Sequence, residues 1–172
     1  MNTVFYEQQY FRQIWLWVVL IGINSFFIYG LVMQLYYGRA FGDNPTSNME
    51  LVALTVVITL ISNLFVFMRL ETTIDRSGIH YRFFPFQWSQ KTIAWNRISK
   101  VYVRQYNPIA EYGGWGLRLG LFGKGKAFNV SGSVGIQLVY DNGKKFLIGT
   151  QQPKEVEMIL RELGYKETNE AV

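Results

Sequence analysis

Two uncharged apolar stretches near the start of the chain constrain its fold more than any other feature. No Asp, Glu, Lys or Arg occurs in residues 13–38 or in residues 51–68. At about 1.5 Å of rise per helical residue, each stretch can cross a hydrocarbon core of about 30 Å, the second only just. The sequence therefore predicts two transmembrane helices, over about residues 13–37 and 50–69, which together make a hairpin domain of residues 1–69.

The basic residues at the span ends predict the orientation of this hairpin. The loop between the spans holds one of them, Arg39, whereas the other side holds Arg12, Arg69, Arg76 and Arg82. Cytoplasmic loops are enriched in Lys and Arg, so we expect both termini on the cytoplasmic side and residues 41–48 as a short outer loop.

Polar and small residues lie at helical spacing in both predicted spans. Such residues let helices in lipid approach closely and form hydrogen bonds. They could line a polar path, but neither span contains an ionisable residue and two helices cannot enclose a pore. We therefore expect the two stripes to face each other in an antiparallel pair, with Asn24 and Thr59 at similar depth. The predicted pairing residues are Gly22, Ser25, Thr55, Thr59, Ser62 and Asn63.

The remainder of the chain, residues 70–172, differs in charge and in periodicity. The whole net charge of +5 lies there, because three arginines balance three acids before it. The chain has no cysteine, which excludes disulfides, thiolate metal sites and a cysteine nucleophile. Apolar residues alternate with polar ones in eight short segments, which predicts strands. The predicted strands are residues 71–75, 79–84, 91–95, 98–106, 117–121, 127–130, 135–140 and 144–148.

The last predicted element is an amphipathic helix over about residues 153–163. Pro153 suits its first turn, and Gly164 fits just beyond its end. Its apolar stripe requires a sheet to cover and consists of Val156, Ile159, Leu160 and Leu163. Short strands followed by one C-terminal helix predict a mainly-β domain that the helix covers.

Four segments carry a resemblance to a known family. They are Ile-Ala-Trp-Asn-Arg-Ile at 93–98, Asn-Pro-Ile-Ala-Glu-Tyr-Gly-Gly-Trp-Gly-Leu-Arg at 107–118, Asn-Val-Ser-Gly at 129–132 and Leu-Ile-Gly-Thr-Gln at 147–151. Over nearly its whole length the chain resembles small bacterial membrane proteins that join a two-span hairpin to a pleckstrin-homology-like (PH-like) domain. The resemblance implies a multi-pass protein of the bacterial inner (cytoplasmic) membrane, with a PH-like barrel in the cytoplasm. It implies no activity, since a fold does not assign one.

Basic residues cluster in two loops of the predicted barrel. A lysine or arginine held close to anionic headgroups contributes about 1 kcal/mol to membrane binding. The alternative is that the excess of basic residues reflects only the cytoplasmic location of the domain. The first predicted hairpin turn, residues 75–78, offers only Arg76, unlike the basic loops of eukaryotic lipid-binding PH domains. The candidate anionic-lipid contacts are Arg118, Lys124, Lys126, Lys144 and Lys145.

Three glycines surround a tryptophan in residues 111–116, which is the least ordinary segment of the chain. The glycines indicate an unusual backbone path. In one interpretation Trp115 fills an end of the barrel. In the other, Tyr112 and Trp115 are presented to an unknown protein partner, since aromatic residues dominate interface hot spots.

Sites for chemistry are not evident. Residues 120–126 match the glycine and lysine spacing of a phosphate-binding loop, but Ala127 stands where a hydroxyl should hold magnesium and a strand follows instead of a helix. The single histidine, His80, has no evident catalytic partner or metal-ligand spacing around it. We predict no catalytic, cofactor or metal residues. We also predict no nucleic-acid binding, because the basic loops lack interleaved aromatic residues.

The function that this pattern favours is a membrane-tethered binding or scaffolding module without evident catalytic activity. One alternative is an accessory subunit of a larger membrane complex, which would act through the hairpin. Another is a peripheral surface that senses anionic lipid. The sequence identifies neither the partner nor the oligomeric state.

Overall fold

A computed structural model describes residues 5–119 and 124–165 of the chain. The chain divides into two compact units. One consists of Arg12–Phe67, and the other joins Met1–Phe11 to Met68–Val172. We call them the helical unit and the β unit.

Two long helices make up the helical unit. Helix α1 covers Ile14–Leu31 and continues as one π-helical segment, Val32–Tyr36, and helix α2 covers Asn48–Phe67. Both are long and apolar enough to cross a membrane. Ser47 begins α2 as a capping box, since its hydroxyl accepts from the Glu50 amide while the Glu50 carboxylate accepts from the Ser47 amide. These bounds agree within a few residues with the predicted spans.

The first sheet of the β unit is antiparallel, in the order β1-β2-β3-β4. Its strands are β1 (Phe5–Tyr10), β2 (Arg69–Ile74), β3 (Gly78–Phe84) and β4 (Lys91–Ala94). The prediction that residues 1–69 form one hairpin domain is therefore wrong for β1, which pairs along its whole length with β2. It also follows that the turn at residues 75–78 joins the second and third strands rather than the first two.

Strand β1 escaped prediction because its buried face is partly polar. The buried positions are Phe5, Glu7 and Gln9, so apolar residues do not alternate. Glu7 links β1 to the second sheet, because its carboxylate accepts hydrogen bonds from the Thr150 hydroxyl and the Gln151 amide, both at 2.7 Å. Burial raises the pKa of the Glu7 carboxyl despite these two bonds.

The second sheet has the order β5-β8-β9-β7-β6. Its strands are β5 (Ile98–Gln105), β6 (Gly116–Leu119), β7 (Lys126–Asn129), β8 (Val134–Tyr140) and β9 (Lys145–Gly149). A short helix, α3 (Pro108–Tyr112), lies between β5 and β6 in a segment for which no helix was predicted. Neighbouring strands are antiparallel except β7 and β9, which are parallel.

The predicted closed barrel is not present among the described residues, whose strands form two separate sheets. The chain leaves β4 through a single 3₁₀ turn, Trp95–Arg97, and β5 then pairs with β8 instead of β4. The predicted C-terminal helix is present as α4 (Pro153–Glu162). Its buried stripe of Val156, Ile159 and Leu160 belongs to the core of the β unit, as the sequence pattern requires.

Candidate functional site

A cavity of about 750 Å³ in the β unit lies between the two sheets. Its floor is aromatic and its rim is basic. We call it the lysine cavity, and define it by the floor residues Tyr81, Phe128 and Phe146 and the rim residues Lys91, Lys126, Lys144 and Lys145.

The floor is a cluster of three rings from three strands. The ring centroids of Tyr81 and Phe146 are 4.9 Å apart, those of Phe128 and Phe146 5.1 Å, and those of Tyr81 and Phe128 5.5 Å. Tilted and edge-on arrangements at these separations are the favourable ones for aromatic rings. Because β3 lies in the first sheet and β7 and β9 lie in the second, the cluster joins the two sheets at this point.

The rim lysines reach the cavity through strand register. Lys91 stands opposite Tyr81 in the β3–β4 ladder, and Lys126 stands opposite Phe146 in the parallel β7–β9 ladder. Lys126 also shares a face with Phe128, two residues further along β7. Each of these two lysines is thus fixed next to a ring of the floor.

The other two rim lysines follow the tight turn between β8 and β9. The Asn142 side chain accepts a hydrogen bond from the Lys144 amide, and Gly143 has a positive φ of 75°. Gly125 brings the start of β7 beside this turn. A Cβ atom at Gly125 would lie 2.0 Å from the Lys145 carbonyl oxygen, so only glycine allows this approach.

The electrostatic character of the lysine cavity is positive. Four lysines and no Asp or Glu occur among the described residues that line it. Burial raises the pKa of Tyr81 and of Tyr140, which also lines the cavity, so both hydroxyls stay protonated and able to donate at neutral pH. An aromatic floor under a cationic rim suits a ligand that has an apolar part and an anionic group.

The structure brings together three of the five basic residues predicted to contact anionic lipid: Lys126, Lys144 and Lys145. Arg118 lines an adjoining groove with Phe86, and its Nε donates to the Trp115 carbonyl oxygen.

Lys124 is not part of the cavity lining, although it is exposed. Sequence reasoning missed Lys91, since only the β3–β4 register places it beside Tyr81.

The two predicted partner-binding aromatics have different positions. Tyr112 is buried, with 2% of its surface exposed. Its hydroxyl donates to the Lys124 carbonyl oxygen and accepts from Arg104. Tyr112 is therefore a core residue, and its proposed exposure to a partner is wrong. Trp115 is half-buried, and its indole nitrogen donates to the Gly132 carbonyl oxygen.

Helix α3 and its contacts hold Tyr112 against the β unit. The Asn107 side chain caps it by accepting from the Ile109 and Ala110 amides. Arg104 forms a two-pronged ion pair with Glu111, at 2.8 and 3.2 Å. Burial alone would raise the pKa of Glu111, but the hydrogen bonds from Arg104 and from the Asn107 amide outweigh it and lower that pKa.

His80 has partners that the sequence did not reveal. Its Nε2 lies 3.1 Å from an Asp75 carboxylate oxygen and 3.2 Å from the Ser77 hydroxyl, and its Nδ1 lies 2.8 Å from the Thr92 hydroxyl. A catalytic Ser-His-Asp triad needs the acid and the serine on opposite ring nitrogens. Here both face Nε2, so the cluster ties the β2–β3 turn to β4.

This cluster also determines the ionisation of Asp75. Burial alone would raise its pKa, but hydrogen bonds from Ser77 and His80 outweigh the burial and lower it to about 2. The carboxylate is therefore ionised at all physiological pH values.

The contacts between α1 and α2 are centred on Asn24. Its amide nitrogen donates to the Ser62 hydroxyl at 2.7 Å, and its carbonyl oxygen accepts from the Thr59 hydroxyl at 3.0 Å. Thr55 is buried and bonds to its own helix at Leu51.

The remaining predicted pairing residues lie elsewhere. Gly22 and Ser25 are exposed, unlike the prediction, because the rotation of α1 turns Asn24 towards α2 instead. Asn63 is exposed, and its amide nitrogen donates to the Thr59 carbonyl oxygen of its own helix.

Two further predictions concern inorganic ligands. In residues 5–119 and 124–165, no group of three or more His, Cys, Asp or Glu could hold a metal ion. Residues 120–123 of the segment that matches a phosphate-binding loop lie outside the described residues. Lys126, at the end of that segment, begins strand β7 and not a helix.

Comparison of the sequence with models of protein families gives no match, and comparison with curated proteins gives none either.

Proposed function

We propose that the chain is a membrane-tethered binding module, in which α1 and α2 span a bilayer and the β unit holds an anionic ligand in the lysine cavity. Three arguments support the proposal, one for the membrane, one for the type of domain and one for the ligand.

The membrane argument rests on the surface of the two long helices. Buried residues are limited to Gly30 in α1 and to Leu51 and Thr55 in α2, so their apolar side chains face outwards. A core helix of a water-soluble protein would bury that surface. Strands β1 and β2 flank the hairpin and pair with each other, so both ends of the hairpin emerge on one side. The arginine bias supports a cytoplasmic location for this side, and the resemblance supports a bacterial inner membrane.

The domain argument rests on strand order. Four antiparallel strands, then β5, β8 and β9 in a second sheet, then a C-terminal helix, are the layout expected of a PH-like domain. In this interpretation α1 and α2 are inserted between the first two strands of the domain, and α3, β6 and β7 are a second insertion. This arrangement supports a PH-like binding module rather than a fold of another class.

The lysine cavity is the single observation that supports an anionic ligand. Two of its lysines, if each contributes about 1 kcal/mol next to an anionic headgroup, strengthen binding about 30-fold in total. Exposed charges interact less strongly as salt increases, so the affinity should fall along a salt series.

The experiment measures binding of dihexanoyl phosphatidylglycerol to the full chain in a nonionic detergent, with dihexanoyl phosphatidylcholine as the neutral comparison. The variant Lys144→Gln/Lys145→Gln should bind the anionic lipid about 30-fold more weakly. Lys100→Gln/Lys154→Gln is the matched control, because it removes the same charge from exposed sites outside the cavity. If both variants lose the same affinity for the anionic lipid, the effect is one of net charge and not of the cavity. If the full chain does not prefer the anionic lipid to the neutral one, the proposal is refuted.

A second candidate function is that of an accessory subunit in a larger membrane complex. Asn63 favours it, because a polar side chain on an exposed face of an apolar helix can hydrogen-bond to another helix in lipid. Asn63→Leu should then abolish co-purification of the partner and leave binding of dihexanoyl phosphatidylglycerol unchanged. The lysine-cavity variant should do the reverse.

A further inference from the structure

The loop between β3 and β4 displays two large aromatic side chains. Phe86 is 56% exposed and Trp88 is 79% exposed. The Trp88 ring packs edge-on against Phe84, with 5.6 Å between centroids, and the Arg69 guanidinium lies 5.0 Å from the centroid of the same Phe84 ring. The base of the loop is thus held in place while its aromatic tip, residues 85–90, faces outwards. We call this tip the aromatic loop.

Strand register places the base of the aromatic loop at the same end of the first sheet as Tyr10 and Arg69, which are close in sequence to the long helices. Phe84 stands opposite Arg69 in the β2–β3 ladder, and Arg69 stands opposite Tyr10 in the β1–β2 ladder. Only Met68 separates Arg69 from the end of α2. Paired residues are about 5 Å apart and two chain steps span at most about 7 Å. Phe84 therefore lies within about 12 Å of the last residue of α2.

We propose that the aromatic loop inserts into the headgroup region of the bilayer that α1 and α2 cross, with Phe86 and Trp88 as its anchors. The inference rests on the proposed membrane spans. The bilayer is the favoured occupant of this surface because the covalent path leaves the loop so close to the end of a span. Tryptophan is enriched at this depth, since its ring is apolar while its N–H can still be hydrated.

The residues next to the aromatic loop are also compatible with a position at the headgroups. Arg69 and Arg82 flank it, and both pair with the Glu71 carboxylate, with Nε···O distances of 2.8 Å. Gln87 of the aromatic loop lines the lysine cavity, and Phe86 lines the adjoining groove. Insertion of the loop would therefore hold the mouth of the lysine cavity against the headgroups. A headgroup could then enter the cavity without leaving the membrane.

The absence of cysteine from the chain allows a direct test. The full chain is placed in nanodiscs of mixed phosphatidylglycerol and phosphatidylcholine, with one cysteine carrying an environment-sensitive fluorophore. Trp88→Cys and, separately, Phe86→Cys report on the aromatic loop. Ile109→Cys is the matched control, because Ile109 is an apolar residue of the β unit that is 65% exposed. Leu60→Cys, at a 65% exposed position within α2, reports on the span.

The readouts are quenching by iodide in the water and by nitroxide-labelled lipid. We expect the labels at 88 and 86 to lose most of their iodide quenching and to be quenched by a nitroxide near the headgroup, while the label at 109 shows the opposite. If both loop labels are as iodide-accessible as the one at 109 while the label at 60 is lipid-protected, the inference is refuted and the spans stand. If the label at 60 is also iodide-accessible, both the proposed span and the insertion of the aromatic loop are refuted.

Discussion

The strand that precedes the first long helix should be required for the β unit to fold. A fragment of residues 68–172 lacks β1, and with it two nearly fully buried rings, Phe5 at 2% and Phe11 at 6% exposure. Burial of one such ring is worth about 1.5–3 kcal/mol. The loss of about 3–6 kcal/mol compares with a total stability of about 5–15 kcal/mol for a domain. We expect this fragment to be largely unfolded or aggregated.

The structure also specifies how to restore the missing strand. Tyr10 stands opposite Arg69, so Phe11 and Met68 can be joined by a two-residue Asn-Gly turn that replaces residues 12–67. We expect the joined chain to be water-soluble and to unfold cooperatively in urea, as measured by circular dichroism. In this background Phe5→Ala should cost about 3–5 kcal/mol.

Tyr6→Ala is the matched control for Phe5→Ala, because Tyr6 is the next residue of β1 and is 55% exposed. It should lower stability far less than Phe5→Ala does. The reasoning would be refuted if the fragment of residues 68–172 unfolded at the same urea concentration as the joined chain. It would also be refuted if the two alanine variants were equally stable.

Three further perturbations test individual contacts. Since the pKa of Asp75 is lowered from 3.8 to about 2, its carboxylate stabilises the fold by about 2 kcal/mol above pH 3.8, and this is lost as pH falls towards 2. In the detergent-solubilised Asp75→Asn variant, the thermal midpoint should therefore fall less than in the unchanged chain between pH 3.8 and about 2. An equal fall in both proteins would contradict the lowered pKa of Asp75. Asn24→Leu should loosen the pairing of α1 and α2 by about 1–2 kcal/mol in a thermal melt, whereas Ser25→Leu, at an exposed position, should have little effect. Gly125→Ala should lower both the stability of the chain and its binding of dihexanoyl phosphatidylglycerol, because the added Cβ would clash with the Lys145 carbonyl oxygen. Unchanged binding would show that the lysine cavity does not need this close approach.

The sequence predicted those elements whose signals are local. Charge-free runs gave both long helices, and the β8–β9 hairpin was predicted within a residue or two because Asn142-Gly143 favours a tight turn. The apolar stripe of Val156, Ile159 and Leu160 gave α4. Each of these patterns depends on neighbours within a few residues, so tertiary structure had little to add.

The candidate site was only partly predictable for the opposite reason. The sequence indicated a cluster of lysines in two loops, and it placed Lys126, Lys144 and Lys145 in one group. It did not reveal the aromatic floor, which forms because β7 pairs in parallel with β9 and faces Tyr81 from the other sheet. A crossover of this kind leaves no local pattern. Lys91 was missed as well, because only the β3–β4 register places it opposite Tyr81.

The sequence by itself determined that the chain has two helices of membrane-spanning length and a β-rich part of different charge. Only the tertiary structure decided where these parts divide. Strand β1 precedes the first helix but belongs to the β unit, where it pairs with β2. The partners of its buried polar face, Thr150 and the Gly149 carbonyl, lie about 140 residues away in the chain. Glu7 and Gln9 look solvent-exposed in the sequence, and only those distant partners make their burial possible.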